Sequence, residues 1–332
     1  MLQACTSSTS TSPTNTTSFA QTNLVSDTAA FAAAHTDPAL ANAWGIAFGG
    51  TGKPWISSNH GNVSTIYDTS GNTILAAVKI PVPGVATGGS PTGVVYNANA
   101  SAGDFGKNAF IFSTEDGTIA GWQGGAGALI VSDQSALNAV YKGLAIVPSV
   151  HQIYATDFHN NTVRVFDKNF LIVGHFTDPS IPVGYSSFGI QNIHDTLYVT
   201  FARQKSTLKD DSLGVGIGYV DMFKPDGTLI GRFASNGNLN SPWGLALAPS
   251  SFGQFANAIL VGNFGDGKIT AFDHSGTDLG QLRISGGSVI SIDGLWALSF
   301  NPTANSDPNK LFFTSGPFTE NHGLFGYLAI AP

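Results

Sequence analysis

The chain has 332 residues, 42% of them hydrophobic, and its 40 glycines, 16 prolines and 11% charged residues point to many strands joined by tight turns rather than to long exposed helices. A formal charge of -7 with no basic run argues against nucleic acid or an anionic membrane surface as a partner, and no apolar stretch approaches the roughly 20 residues that a spanning helix needs. Cys5 is the only cysteine, so neither an intramolecular disulfide nor a cysteine-based metal site is available.

Leu2-Gln3-Ala4-Cys5 looks like the end of a bacterial lipoprotein signal, in which the cysteine becomes the lipidated first residue. Thr6 to Ser18 contains only Ser, Thr, Asn and Pro, the composition of a polar tether. Residues 1–18 are therefore expected to be a residual export signal and tether, and residues 19–332 a single domain. This reading places the protein outside the cytoplasm (periplasmic, cell-surface or secreted), with membrane contact only through a lipid on Cys5. Residues 20–25 read as a strand, and 26–43 as an Ala-rich connection that Pro38 keeps from a clean helical period.

Short apolar runs rich in Val, Ile, Tyr and Phe then follow in groups of four, separated by polar or Pro-containing turns. The first group is 44–48, 54–58, 63–67 and 73–80; the second is 92–96, 109–114, 119–122 and 128–132. The third is 143–147, 152–156, 163–166 and 170–176, and the fourth 188–193, 196–201, 218–223 and 228–233. The fifth is 243–247, 258–262, 268–272 and 278–284. The sixth has only 295–300, 310–314 and 324–330. Gly45, Gly93, Gly143, Gly189 and Gly244 open successive groups at separations of 48, 50, 46 and 55 residues by subtraction, and Gly294 lies 50 further on.

Four strands per unit with a period near 50 is the arithmetic of an all-β, six-bladed β-propeller. The sixth unit lacks an outermost strand and 20–25 has no unit of its own, so the N-terminal strand is expected to complete the last blade and close the ring.

Residues 154–167, YATDFHNNTVRVFD, resemble the core of an NHL repeat, with 260–273 a looser copy. Through NAWGIA at 42–47, SPWGLALAP at 241–249 and IDGLWAL at 292–298, the stretch 23–329 resembles an uncharacterised family of exported bacterial six-bladed propellers. The resemblance implies the fold and brings no activity. Gluconolactonase-like and phosphotriesterase-like hydrolases, streptogramin lyases and amidating lyases are more distant relatives by architecture. Where the gluconolactonase-like enzymes carry metal ligands, this chain has Trp44, Thr92, Lys142, Phe188 and Trp243, and only Asp293 resembles their pattern.

Propeller ligands usually meet the channel mouth, where the turns between second and third strands converge. Asn59, Glu115, Asp157 and Asn263, at the ends of second strands, are a candidate oxygen set for Ca²⁺; the same residues also suit turn-capping. His60, His159 and His322 lie in the corresponding turns and are a candidate set for Zn²⁺. The fourth-blade turn 202–216 is long enough to act as a lid, offering Arg203 and Lys205, and the sixth-blade insertion 316–323 offers Glu320 and His322. Trp44, Trp243, Trp296, Trp55 and Trp122 are expected to pack between blades rather than line a ligand site. No phosphate loop, Gly-x-Ser-x-Gly elbow or His-Glu-x-x-His appears. Two functions stay open. One is a propeller binding a small molecule, glycan or protein at its channel mouth; the other is a metal-dependent hydrolase or lyase.

Overall fold

The computed structural model describes residues 17–304 and 306–332, so Cys5 and most of the polar 1–18 segment lie outside the described residues. Strands dominate, six short 3-10 turns aside, and there is no α-helix among the described residues. Five antiparallel sheets, four of them four-stranded and the fourth blade's with a short fifth strand Asp211–Ser212, follow chain order, as in the third blade, Tyr141–Val147, Gln152–Asp157, Thr162–Phe166 and Ile172–Phe176. The sixth is built from both ends of the chain: Leu295–Phe300, Leu311–Ser315, Leu324–Ile330 and then Phe19–Ser26, with the short His35–Thr36 added in parallel at its edge. The N-terminal strand runs antiparallel to the C-terminal one, from Phe19 opposite Ile330 to Ser26 opposite Leu324. The innermost strands touch their neighbours all the way round, blade 6 against blade 1 included. The six-bladed ring is thus closed as the repeat count requires.

Alternation of side chains along each strand produces the packing. One hydrophobic cluster fills the gap between each pair of neighbouring blades, giving six in all. A seventh lies on the axis. Trp55, stacked on Phe110 at 3.9 Å with Trp122 beside it, fills the gap between blades 1 and 2 in the expected manner. Phe19 anchors the closing strand, buried against Phe252 and Phe255 of blade 5.

The repeated glycine has a steric cause. A Cβ on Gly189 would lie 2.1 Å from the Trp243 carbonyl oxygen of the next blade, so the innermost strands approach too closely for a side chain there. A hydroxyl on the second strand clasps the same point. In blade 3 the Gly143 N–H donates to Thr156 Oγ1, which donates to the Phe188 carbonyl of blade 4. In blade 6 the Ala297 N–H donates to Thr314 Oγ1, which donates to the Trp44 carbonyl of blade 1. Ala297, not Gly294, is therefore the sixth copy of this position; Gly294 sits in the preceding turn at φ +63.

Candidate functional site

The residue before each of those positions is Trp44, Thr92, Lys142, Phe188, Trp243 or Trp296, one per blade. Four of the six are aromatic, and they meet on the axis. Trp44 stacks on Trp296 at 3.5 Å, and Trp243 packs edge-on against both. Phe264 stacks on Trp296 at 4.1 Å, while Phe158 and Phe188 pack at the sides. The next residues along the innermost strands, Ile46, Val94, Leu144, Ile190, Leu245 and Leu298, form an apolar ring around a void of only about 50 Å³. The channel is plugged. Trp44, Trp243 and Trp296 thus pack across the axis rather than between blades, because every innermost strand presents this position to the same small central space.

Lys142 is the single charged member of that layer and is 3% exposed. Its ammonium lies 4.9 Å from the centre of the Trp44 ring and is ion-paired with Glu115 of blade 2. A buried cation in an aromatic layer is tolerable because the carboxylate and the ring faces replace part of its hydration.

Above the plug opens a cavity of about 330 Å³. Lys142, Trp296 and Phe264 form part of its wall, and Asp293 comes from the turn into blade 6. The rest comes from two insertions. The fourth-blade segment contributes Lys205, Asp210, Asp211 and Leu213, and the sixth-blade segment contributes Gly316, Thr319 and Glu320.

Neither insertion is a loose flap. The second strand of blade 4 continues through Gln204, and Asp211–Ser212 pairs back onto it with Gln204 opposite Asp211 and Arg203 opposite Ser212. The expected open turn is therefore an extended hairpin, its tip closed by the Lys205 N–H donating to the Asp210 carbonyl at 2.8 Å. In blade 6, Phe318, Thr319 and Glu320 are consecutive left-handed residues with φ of 53, 54 and 67°, a conformation that costs roughly 1–2 kcal/mol per residue. Hydrogen bonds hold it: the Phe318 N–H donates to Asp293 Oδ2 at 2.8 Å and the Glu320 N–H to the Gly316 carbonyl at 3.0 Å.

Asn42 ties this turn to the plug. Its Oδ1 accepts from Trp296 Nε1 at 3.1 Å, and its Nδ2 donates to Glu320 Oε2 at 3.3 Å. The carboxyls in and behind the cavity wall are not alike. Burial pushes Glu115 up, but Lys142, Lys209 and the Asn59 amide outweigh it and hold the group below the usual carboxylate range. Burial also pushes Glu320 up. Lys142 offsets this only in part and Glu115, Asp211 and Asp210 add to it, so Glu320 titrates at about 7. Burial raises Asp211 as well.

The expected metal sets are not assembled. Asp157, Asn263 and Ser315 lie opposite Tyr141, Pro242 and Leu295, the register that Ser58 and Thr114 occupy in blades 1 and 2. Asn59 and Glu115 are one residue further on, equivalent to Phe158, Phe264 and Gly316. One residue of offset in a strand reverses the face. Asn59 and Glu115 accordingly meet behind the cavity wall, with Asn59 Nδ2 donating to Glu115 Oε2 at 3.3 Å. Asp157 accepts from the Val140 N–H and pairs with Arg164, while Asn263 Oδ1 accepts from the Asn240 N–H and its amide donates to the Asn238 carbonyl. Both are turn caps.

Of the histidines, His60 Nε2 lies 3.5 Å from the Asn42 amide, whereas His322 pairs through Nδ1 with Asp27 and packs against Phe31 and Phe318. Among the described residues no three His, Cys, Asp or Glu side chains converge as a metal-ligand group, so the His60, His159, His322 set does not form, and register divides the other set into the Asn59–Glu115 pair and the two turn caps Asp157 and Asn263. Of the expected ligand-binding residues, Lys205 and Glu320 are on the cavity wall; Arg203 and His322 are not. Sequence reasoning missed Lys142, Asp210, Asp211 and Phe264. The legible signal was Lys142, the one charge among the six residues that precede the clasped position.

No protein-family model matches the chain. An uncharacterised protein of Acanthamoeba polyphaga mimivirus is 34% identical over 313 residues, covering 89% of this chain and 76% of its own. A second from the same virus is 32% identical over 313 residues, covering 89% and 82%. Among solved structures, a streptogramin B lyase superposes with a TM-score of 0.53 at 12% identity, covering 94% of this chain and 97% of its own. The WD40 β-propeller domain of Doa1 superposes with 0.52 at 11% identity, covering 86% and 78%. At such identities these structures show the fold alone.

Proposed function

The chain belongs to the family of these mimivirus proteins, and from that premise we propose that it is a binding propeller that holds a small ligand in the cavity over its plugged channel. The observation that carries the reading is convergence: insertions of blades 4 and 6, more than a hundred residues apart in sequence, wall one cavity of a size suited to a small molecule. The alternative of a metal-dependent hydrolase or lyase has no ligand group to support it among the described residues.

Screening a fragment library by ligand-observed NMR tests the reading. Hits that bind the native protein and are lost in Leu213→Trp, which places a larger side chain in the cavity wall, are expected. Hits indifferent to that substitution would move the site elsewhere. We also propose that the protein works outside the cytoplasm, tethered through Cys5, on the strength of the Leu2–Cys5 motif and the polar segment behind it. Fatty-acid labelling in a bacterial host should vanish in Cys5→Ser, and labelling that persists would remove the lipid from the proposal.

A further inference from the structure

Resting on the reading of this cavity as a ligand site, we propose that its ligand is an organic ammonium ion carrying an apolar body. The wall holds four carboxyl groups, on Asp210, Asp211, Asp293 and Glu320, against the two ammonium groups of Lys142 and Lys205. Lys142 is already committed, because it is ion-paired with Glu115 behind the wall. The surplus is acidic.

Asp211 is the most deeply set of these carboxyls that is left short of a donor. It lines the cavity, is 6% exposed, and its Oδ2 has no hydrogen-bond partner among the described residues. A buried carboxylate oxygen left without a donor is costly. An ammonium ion in the cavity acts on this carboxylate through its charge, at the atoms Asp211 presents to the wall. The apolar side is present too: Leu213 is 53% exposed, and Phe264 is the outer, half-buried ring of the stack on Trp296. An aromatic face beside carboxylates suits a cation with a hydrocarbon body.

Competing chemistries fit less well. A neutral sugar would leave the carboxyl surplus uncompensated and finds no exposed tryptophan, since Trp296 is covered by Trp44 on one side and Phe264 on the other and is 1% exposed. An anion would meet the four carboxyls. A bare divalent ion finds no convergent ligand group among the described residues.

Binding of a permanent cation should strengthen with pH. Glu320 is faced by Glu115 and Lys142 from the channel side, by Asp210, Asp211 and Lys205 from the blade 4 hairpin, by Asp293 beneath its own turn, and by His60 through Asn42. It is mostly protonated at pH 6 and mostly ionised at pH 8, so affinity for a quaternary ammonium should rise by up to about tenfold over that range.

The test is calorimetric titration of the full chain with benzyltrimethylammonium, tetramethylammonium and phenethylammonium, and with benzyl alcohol and phenylacetate as neutral and anionic counterparts. The proposal expects the cations to bind and the counterparts not to. It also expects Asp211→Asn and Glu320→Gln, both isosteric and each checked for native thermal unfolding, to weaken cation binding at least tenfold, with Glu320→Gln removing the pH dependence. Benzyl alcohol or phenylacetate binding where the cations do not would overturn the ammonium class and leave the cavity a ligand site. Binding of no probe of any charge would overturn the ammonium class, and fragment hits indifferent to Leu213→Trp would separately overturn the site itself.

Discussion

Lys142 and Glu115 form a buried pair whose halves come from neighbouring blades, so removing one strands the other. Lys142→Met should destabilise the protein by about 3–5 kcal/mol, the usual consequence of leaving one buried charge unpaired, and chemical denaturation measures it directly. A loss below about 1 kcal/mol would mean that Lys209, 3.8 Å from the same carboxylate, takes over. The two glutamates pull stability in opposite directions with pH. Glu115 is held below its unfolded value, so its contribution is present above pH 4.5 and is lost as the pH falls through the lower folded value. Glu320 titrates at about 7 when folded, so the folded state holds a proton that the unfolded chain releases above 4.5, and stability declines as pH rises from 4.5 to 7. Glu320→Gln should abolish that decline and be the more stable protein at pH 8, by roughly 1–2 kcal/mol after screening. Unfolding curves at pH 5 and pH 8 decide it, and an unchanged pH slope would place the Glu320 carboxyl in water.

At the scale of the element, the closing strand and the aromatic plug are the parts whose loss should be felt throughout. Phe19–Ser26 contributes Phe19, Leu24 and Val25 to two inter-blade clusters as well as the whole outer ladder of blade 6. Deleting it should abolish cooperative thermal unfolding, and a deletion that melts like the full chain would contradict the closure. Trp296→Ala should cost about 3–5 kcal/mol and leave a hole in the plug. Strand placement was legible because hydrophobic alternation and turn residues are local: 54–58, 63–67 and 324–330 are strands at the predicted bounds. The face presented at a strand end was not. Asp157 and Glu115 look equivalent when turns are aligned by eye, yet the ladders place them one residue apart and so on opposite faces.

For the whole molecule, closure brings the two described ends together: the Ala331 N–H donates to the Ser18 carbonyl at 2.8 Å. Joining residue 332 to residue 17 through a short Gly-Ser linker and opening the chain between Ala32 and Ala33 should therefore give a folded circular permutant. Its expected signature is the parent's strand-type circular dichroism and one cooperative transition.

What the sequence by itself determined was the six-fold, four-stranded repeat, the N-terminal strand as the missing piece, and blades 4 and 6 as the places that depart from the pattern. These are consequences of side-chain period, turn chemistry and repeat length, all readable over a few tens of residues. Only the tertiary structure decided that three tryptophans plug the axis, that Ala297 rather than Gly294 is the sixth copy, and that Lys205–Leu213 and Gly316–Glu320 share one acidic cavity with Lys142. Those facts depend on ring closure, which brings residues more than a hundred positions apart within reach of one another, and on register, where a single residue chooses the face.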